Sequence, residues 1–117
     1  MMKGKEISLN GKVALITGAA GGLGGAIAWA YGAAGAKVFL HDLFEDKLKD
    51  ITTAMAKEGI EPGFRAVDIT APGAPQKLVD AALAAMGRID ILVNSAGINR
   101  PEKSEDVSEK KDRKSVV

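Results

Sequence analysis

The sequence predicts an α/β fold, a parallel sheet with helices on both faces, and three observations support this. Short apolar runs alternate with helix-length amphipathic stretches in the order β-α-β-α-β-α-β. The apolar runs are continuous at their centres, as strands buried on both faces require. Glycines punctuate the boundaries and are densest between residues 18 and 25. Right-handed crossovers leave few arrangements for such an alternation, and the expected strand order is 3-2-1-4.

Asn10-Gly11 marks a turn, and residues 12–17 read as the first strand. Glycines at 18, 21, 22, 24 and 25 then break the chain before an alanine-rich helix over residues 23–33. Gly35 stands where a left-handed helix stop belongs. Residues 37–42 form the second strand, with His41 expected as an exposed strand-end residue. A helix over 45–58 buries Leu48, Ile51 and Met55, and Gly59 ends it. Residues 63–68 read as a shorter, more polar third strand. Thr70 is expected to cap the next helix, with Pro72 in its first turn. Leu78, Ala82 and Met86 share a face of that helix, and Gly87 stops it. Residues 89–94 are the fourth strand.

Composition sets the outer limits. A chain of 117 residues has room for one domain, and an apolar fraction of 46% is enough for a core. A net charge of +1 gives no reason to expect nucleic acid or an anionic membrane as partner. The absence of cysteine excludes disulfides, thiolate zinc sites and cysteine nucleophiles, and no metal site is expected. No apolar run reaches the roughly 18 residues that a membrane span needs. The basic start is followed by no signal-like stretch, and a cytoplasmic location is the expectation. From residue 101 to 117 the chain is dominated by charge, with Val107 the one strongly apolar residue up to Ser115. That segment is expected to be a mobile tail or frayed helix after a domain spanning residues 1–100.

The chemistry-bearing pattern is Gly18, Gly22 and Gly24, a G-x-x-x-G-x-G that follows a strand and opens a helix. Glycine lets backbone N–H groups approach a pyrophosphate without Cβ obstruction. The helix N-terminus adds unpaired donors and partial positive charge. The alternative is a tight strand-to-helix turn with a packing role alone. In the expected order, ligands sit at the switch point between the first and fourth strands, at Thr17-Gly18 and Asn94-Ser95-Ala96-Gly97. Asp42 ends the second strand, where a carboxylate can accept both ribose hydroxyls and repel a 2′-phosphate. Gly21 and Leu43 supply no cation beside it, so NAD is expected over NADP. The alternative for Asp42 is a cap on the following helix.

Thr17-Gly18-Ala19-Ala20-Gly21-Gly22-Leu23-Gly24 resembles the T-G-x-x-x-G-x-G signature of short-chain dehydrogenases/reductases. Residues 9–16 look like that family's usual opening, and Asp68-Ile69-Thr70 resembles its D-[VI]-T. Residues 87–97 resemble its fourth strand and N-N-A-G, with Ser95 in place of the second Asn. The resemblance covers about residues 8–100. It implies a Rossmann-type fold and an NAD(P)-dependent oxidoreductase that moves hydride between nicotinamide and an alcohol or ketone, sugar-type substrates included. It places Gly18, Gly22 and Leu23 along the pyrophosphate turn, puts Asp42 at the ribose hydroxyls, and adds Thr17, Gly21, Gly24 and Leu43 to the cofactor-binding residues. Asp68 would accept from the adenine amino group and Ile69 would donate its backbone N–H to the ring. Asn94 would brace the central sheet, and Ala96 and Gly97 would lie along the riboses.

The family's catalytic Ser and Tyr-x-x-x-Lys lie beyond position 117 in its full-length members. Tyr31 is followed four residues later by Gly35 and is read as a packing residue, so no catalytic residue is assigned. Lys110-Lys111-Asp112-Arg113-Lys114 stands where an aromatic normally follows, and the likeness is expected to fail near residue 109. The expectation is therefore the cofactor-binding front part of such an enzyme, truncated after the fourth strand. Its exposed sheet edge would favour self-association. A non-catalytic nucleotide-binding module and an inert remnant are the alternatives.

Overall fold

The computed structural model describes residues 8–95. The charged segment 101–117, Ala96 and Gly97 lie outside the described residues. Four strands, β1 (Val13–Thr17), β2 (Lys37–Asp42), β3 (Pro62–Ala66) and β4 (Ile91–Asn94), alternate with α1 (Gly22–Ala33), α2 (Glu45–Lys57) and α3 (Ala74–Met86). They form one sheet in the order β3-β2-β1-β4, with every pair parallel. Leu15 lies opposite Phe39 on one side and Leu92 on the other.

The sheet separates two apolar layers. Ala14, Ile16, Val38, Leu40 and Val93 pack with Ala28 of α1 and with Leu48 and Met55 of α2. Leu15 and Phe39 pack on the other face with Leu78 and Ala82 of α3. All five residues of β1 are buried, which explains the unbroken apolar run of its sequence. Burying side chains of this size stabilises the fold by about 1.5–3 kcal/mol each relative to exposure. The buried positions of α1 are Gly24, Ala28 and Gly32, one residue per turn, so this helix seats itself through small residues. A Cβ at Gly32 would run into the side chain of Ile60. Tyr31 packs against the first of these layers, as a packing residue should.

Three boundaries differ from those expected by two residues or more. β3 stops at Ala66, and Asp68 lies beyond it. The third helix begins at Ala74, leaving Pro72 outside it. Thr70 is not its cap, because Asp68 Oδ1 accepts from both the N–H and the hydroxyl of Thr70, at 2.9 and 2.6 Å. Gly73, at φ +78°, makes the entry instead, and Pro75 lies in the first turn. β4 begins at Ile91 rather than at residue 89. Asp90 turns its carboxylate to the start of β1, where Oδ2 accepts from Val13 N at 2.9 Å. Arg88 Nη2 holds Oδ1 of the same group at 2.8 Å.

His41 corrects a further expectation. It is buried rather than exposed, at 3% relative accessibility. No helix among the described residues is long and apolar enough to cross a membrane.

Candidate functional site

The carboxyl ends of β1, β2 and β4 meet the start of α1. Gly18 leaves β1 at φ +67°, a left-handed conformation that favours glycine. Gly21 N donates back to Gly18 O at 3.1 Å and closes the turn. Gly21 is the N-cap of α1, in extended conformation, and no side chain caps the helix. No acidic residue stands in its first turn. Since the first N–H groups of a helix have no acceptor within it, this end presents donors and positive potential to an anion. A Cβ on Gly22 would meet nothing within 4 Å, so the approach to this end is open. Gly24 is different: a Cβ there would collide with the Gly18 carbonyl and the Ser95 hydroxyl. One glycine of the motif turns the chain, one leaves room outside, and one permits close packing inside.

Asp42 is half-buried at the end of β2. Its Oδ2 accepts from Ala20 N, within the glycine turn, at 2.9 Å. Its Oδ1 accepts from Leu43 N at 2.6 Å. The residue does not cap α2, whose N-cap position is Phe44 with no side-chain cap. Two backbone donors thus fix the carboxylate, and a carboxylate oxygen can accept more than one hydrogen bond. Leu43 and Phe44 are 56% and 53% exposed beside it, and Lys47 Nζ lies 5.0 Å from the Phe44 ring centroid.

At the next strand end, the Thr70 hydroxyl holds the Asp68 carboxyl below the usual carboxylate range, aided by the Thr70 N–H. Asp68 is exposed and ionised at neutral pH, and Ile69 packs at the edge of the α3 layer. At β4 the Thr17 hydroxyl donates to Asn94 Oδ1 at 2.9 Å, tying the two strand ends together. Ser95 is fully buried, and its hydroxyl donates to Thr17 O at 2.5 Å.

Thr17, Gly18, Gly21, Gly22, Gly24, Asp42 and Asn94 therefore lie around the ends of β1, β2 and β4. Leu23 is 43% exposed on the first turn of α1. Asp68 and Ile69 follow β3, beside β2 in the sheet. Ala20 and His41 were not among the expected site residues, and Ser95 was named only within the segment that ends β4, with no contact assigned to it. All three contacts depend on chain folding that no local pattern announces. Among the described residues no three His, Cys, Asp or Glu side chains gather as a metal ion would need.

The family model described as short chain dehydrogenase matches residues 12–117. The match runs past residue 109, so the expected failure of the likeness there is corrected. The chain is 45% identical over 91 residues to the uncharacterized oxidoreductase YgcW of Escherichia coli K12, covering 78% of this chain and 34% of that protein. It is 42% identical over 104 residues to D-threitol dehydrogenase of Mycolicibacterium smegmatis, covering 88% and 40%. Among solved structures, 7α-hydroxysteroid dehydrogenase complexed with NADH and 7-oxo glycochenodeoxycholic acid superposes with a TM-score of 0.74 at 34% identity, covering 80% of this chain and 37% of that one. The chain thus spans between a third and about two fifths of the length of these relatives. Its parallel 3-2-1-4 sheet, glycine turn and family match over residues 12–117 agree, and the chain belongs to the short chain dehydrogenase family.

Proposed function

We propose that residues 12–97 are the dinucleotide-binding part of an NAD-dependent oxidoreductase acting on an alcohol or ketone, with sugar-type polyols the favoured class. The observation that carries the cofactor reading is the Asp42 carboxylate, fixed by Ala20 N and Leu43 N beside the uncapped start of α1. A bound dinucleotide would supply the hydride chemistry through its nicotinamide. The chain's own contribution is to bind and orient. The start of α1, with Gly22 open above it, would receive the pyrophosphate. Asp42 would accept from the ribose hydroxyls, and Asp68 and Ile69 would meet the adenine. Thr17 and Asn94 would hold β1 and β4 in register, and Ala96 and Gly97 would follow the riboses. The NADH complex of the 7α-hydroxysteroid dehydrogenase supports the dinucleotide, and the D-threitol dehydrogenase supports a polyol substrate.

NAD is favoured over NADP because a 2′-phosphate would meet the Asp42 carboxylate. The test is Asp42→Ala, with NAD and NADP titrated separately. Loss of hydrogen bonds to a charged acceptor is worth about 1.5–3 kcal/mol, so NAD affinity should fall at least tenfold while NADP affinity holds or rises. An unchanged preference removes Asp42 from the explanation. A cytoplasmic location and self-association through the β4 edge complete the proposal.

A second reading, a nucleotide-binding module without turnover, is favoured by one observation. The candidate residues around β1, β2 and β3 would serve the adenosine and pyrophosphate ends of a nucleotide. Equal affinity for ADP-ribose and NAD would favour that reading, and a strong preference for NAD would argue against it.

A further inference from the structure

His41 lies one position before Asp42, and its side chain points to the opposite face of β2, the face that α3 covers. It is a buried titratable group that the cofactor contacts above do not use. Its Nε2 lies 2.8 Å from the carbonyl oxygen of Val67. A carbonyl only accepts, so the ring carries a proton on Nε2. Nδ1 is buried and has no hydrogen-bond partner among the described residues. A buried unpaired polar atom is unfavourable, and an apolar side chain of similar bulk would avoid it. What the imidazole adds at this place is the bond to Val67.

That bond falls where the sheet stops holding the chain. The β2–β3 register ends at Asp42 opposite Ala66, and Val67 N makes the last ladder-like bond, to Asp42 O at 3.1 Å. His41 Nε2 takes the carbonyl of the same residue. Val67 is therefore clamped at both its N–H and its C=O, immediately before Asp68 and Ile69. The main chain of His41 reaches the other way, its carbonyl accepting from Ala19 N of the glycine turn at 2.9 Å.

We propose that His41 is a positioning residue for the adenine end of the dinucleotide: it tethers Val67 and so sets where Asp68 and Ile69 stand relative to Asp42 and the glycine turn. The proposal rests on the dinucleotide reading above. Its distinguishing consequence is selectivity. Asp68 is expected to accept from the adenine amino group, so a displaced loop loses discrimination against a base without that group. Nicotinamide hypoxanthine dinucleotide differs from NAD at that edge of the base, with a carbonyl in place of the amino group and a proton on the neighbouring ring nitrogen, so it tests the Asp68 and Ile69 contacts together.

The test titrates both dinucleotides into the full 117-residue chain and into two variants. His41→Leu keeps bulk and removes the donor; His41→Gln places an amide N–H at comparable reach. The expected result is that the wild type prefers NAD, His41→Leu loses about five- to tenfold of that preference, and His41→Gln restores it. Amide exchange at residues 68–70 should be faster in His41→Leu alone. Equal weakening of both ligands, or no rescue by glutamine, makes His41 a packing residue and overturns the proposal. If the leucine variant does not fold, long-range proton–nitrogen NMR of the wild-type ring decides. A proton on Nε2 supports the tether, and a neutral ring with its proton on Nδ1 overturns it. Failure of the wild-type chain to bind either dinucleotide overturns the dinucleotide reading itself. Normal binding with an unshifted preference overturns this proposal alone.

Discussion

At the scale of single residues, the glycines of one motif are not equivalent, and mutation should separate them. Gly24→Ala places a methyl group against the Gly18 carbonyl and the Ser95 hydroxyl, both of them held by neighbouring structure. Overpacking of this kind costs about 1–3 kcal/mol, so the melting temperature should drop by several degrees. Gly22→Ala meets no atom within 4 Å and should melt like the wild type. Its methyl group would instead stand where the pyrophosphate is expected, and NAD affinity should fall. Calorimetry and titration of the two variants check this, and equal loss of stability in both would refute the division. The sequence made the spacing of these glycines readable, because strand, turn and helix all bear on them locally. It did not reveal which glycine packs and which stays open, since Ser95, just after β4, approaches Gly24 from more than seventy residues away. His41 was misread for the same reason. A polar residue at a strand end is usually exposed, and its burial here comes with the chain that follows β3, which accepts its hydrogen bond at Val67.

At the scale of elements, the boundaries moved wherever a side chain competed with the backbone pattern. Asp90 is the clearest case. Its apolar neighbours Ile89 and Ile91 suggested a longer strand, yet its carboxylate joins the start of β1 to Arg88. The Arg88 hydrogen bond, followed by that from Val13 N, holds the Asp90 carboxyl below the usual carboxylate range. A group with a lowered folded-state pKa stabilises the fold above its unfolded pKa, about 4, and that contribution is lost as pH falls through the lower folded value. Asp90→Asn should therefore lower the melting temperature at pH 7, and the difference from the wild type should shrink as the pH is taken below about 4. Melts from pH 7 to pH 3 give the test, and a difference that stays constant would show that the charge contributes nothing. Asp68 shifts in the same direction, through Thr70, and its exposure at the strand end keeps it available to a ligand. The bond between Asp68 and Thr70 is also why the third helix starts late. An Asp two residues before a Thr can signal either a turn or the approach to a cap, and the pattern alone does not choose.

At the scale of the whole molecule, the topology was the most legible feature, because continuous apolar strands, helix lengths and crossover handedness agree on one sheet order. The same topology places β4 at one end of the sheet, paired with β1 on one side only among the described residues. Leu92 of β4 lies on the face that Leu15 shares with α3, and it remains 39% exposed. Leu83 of α3 is 41% exposed on that same side of the sheet. A strand edge with open backbone groups beside exposed leucines is a template for pairing with another copy. The 117-residue chain should therefore sediment as a concentration-dependent mixture of monomer and larger species. Leu92→Lys should shift that distribution towards monomer, since a charge beside the edge must be desolvated before a second strand can pair there. Leu83→Lys should act in the same direction, but more weakly if backbone pairing at β4 leads the association. Sedimentation velocity over a range of concentrations measures both effects. A wild-type chain that stays monomeric throughout would refute the association. Association that Leu92→Lys leaves unchanged would move the contact away from β4.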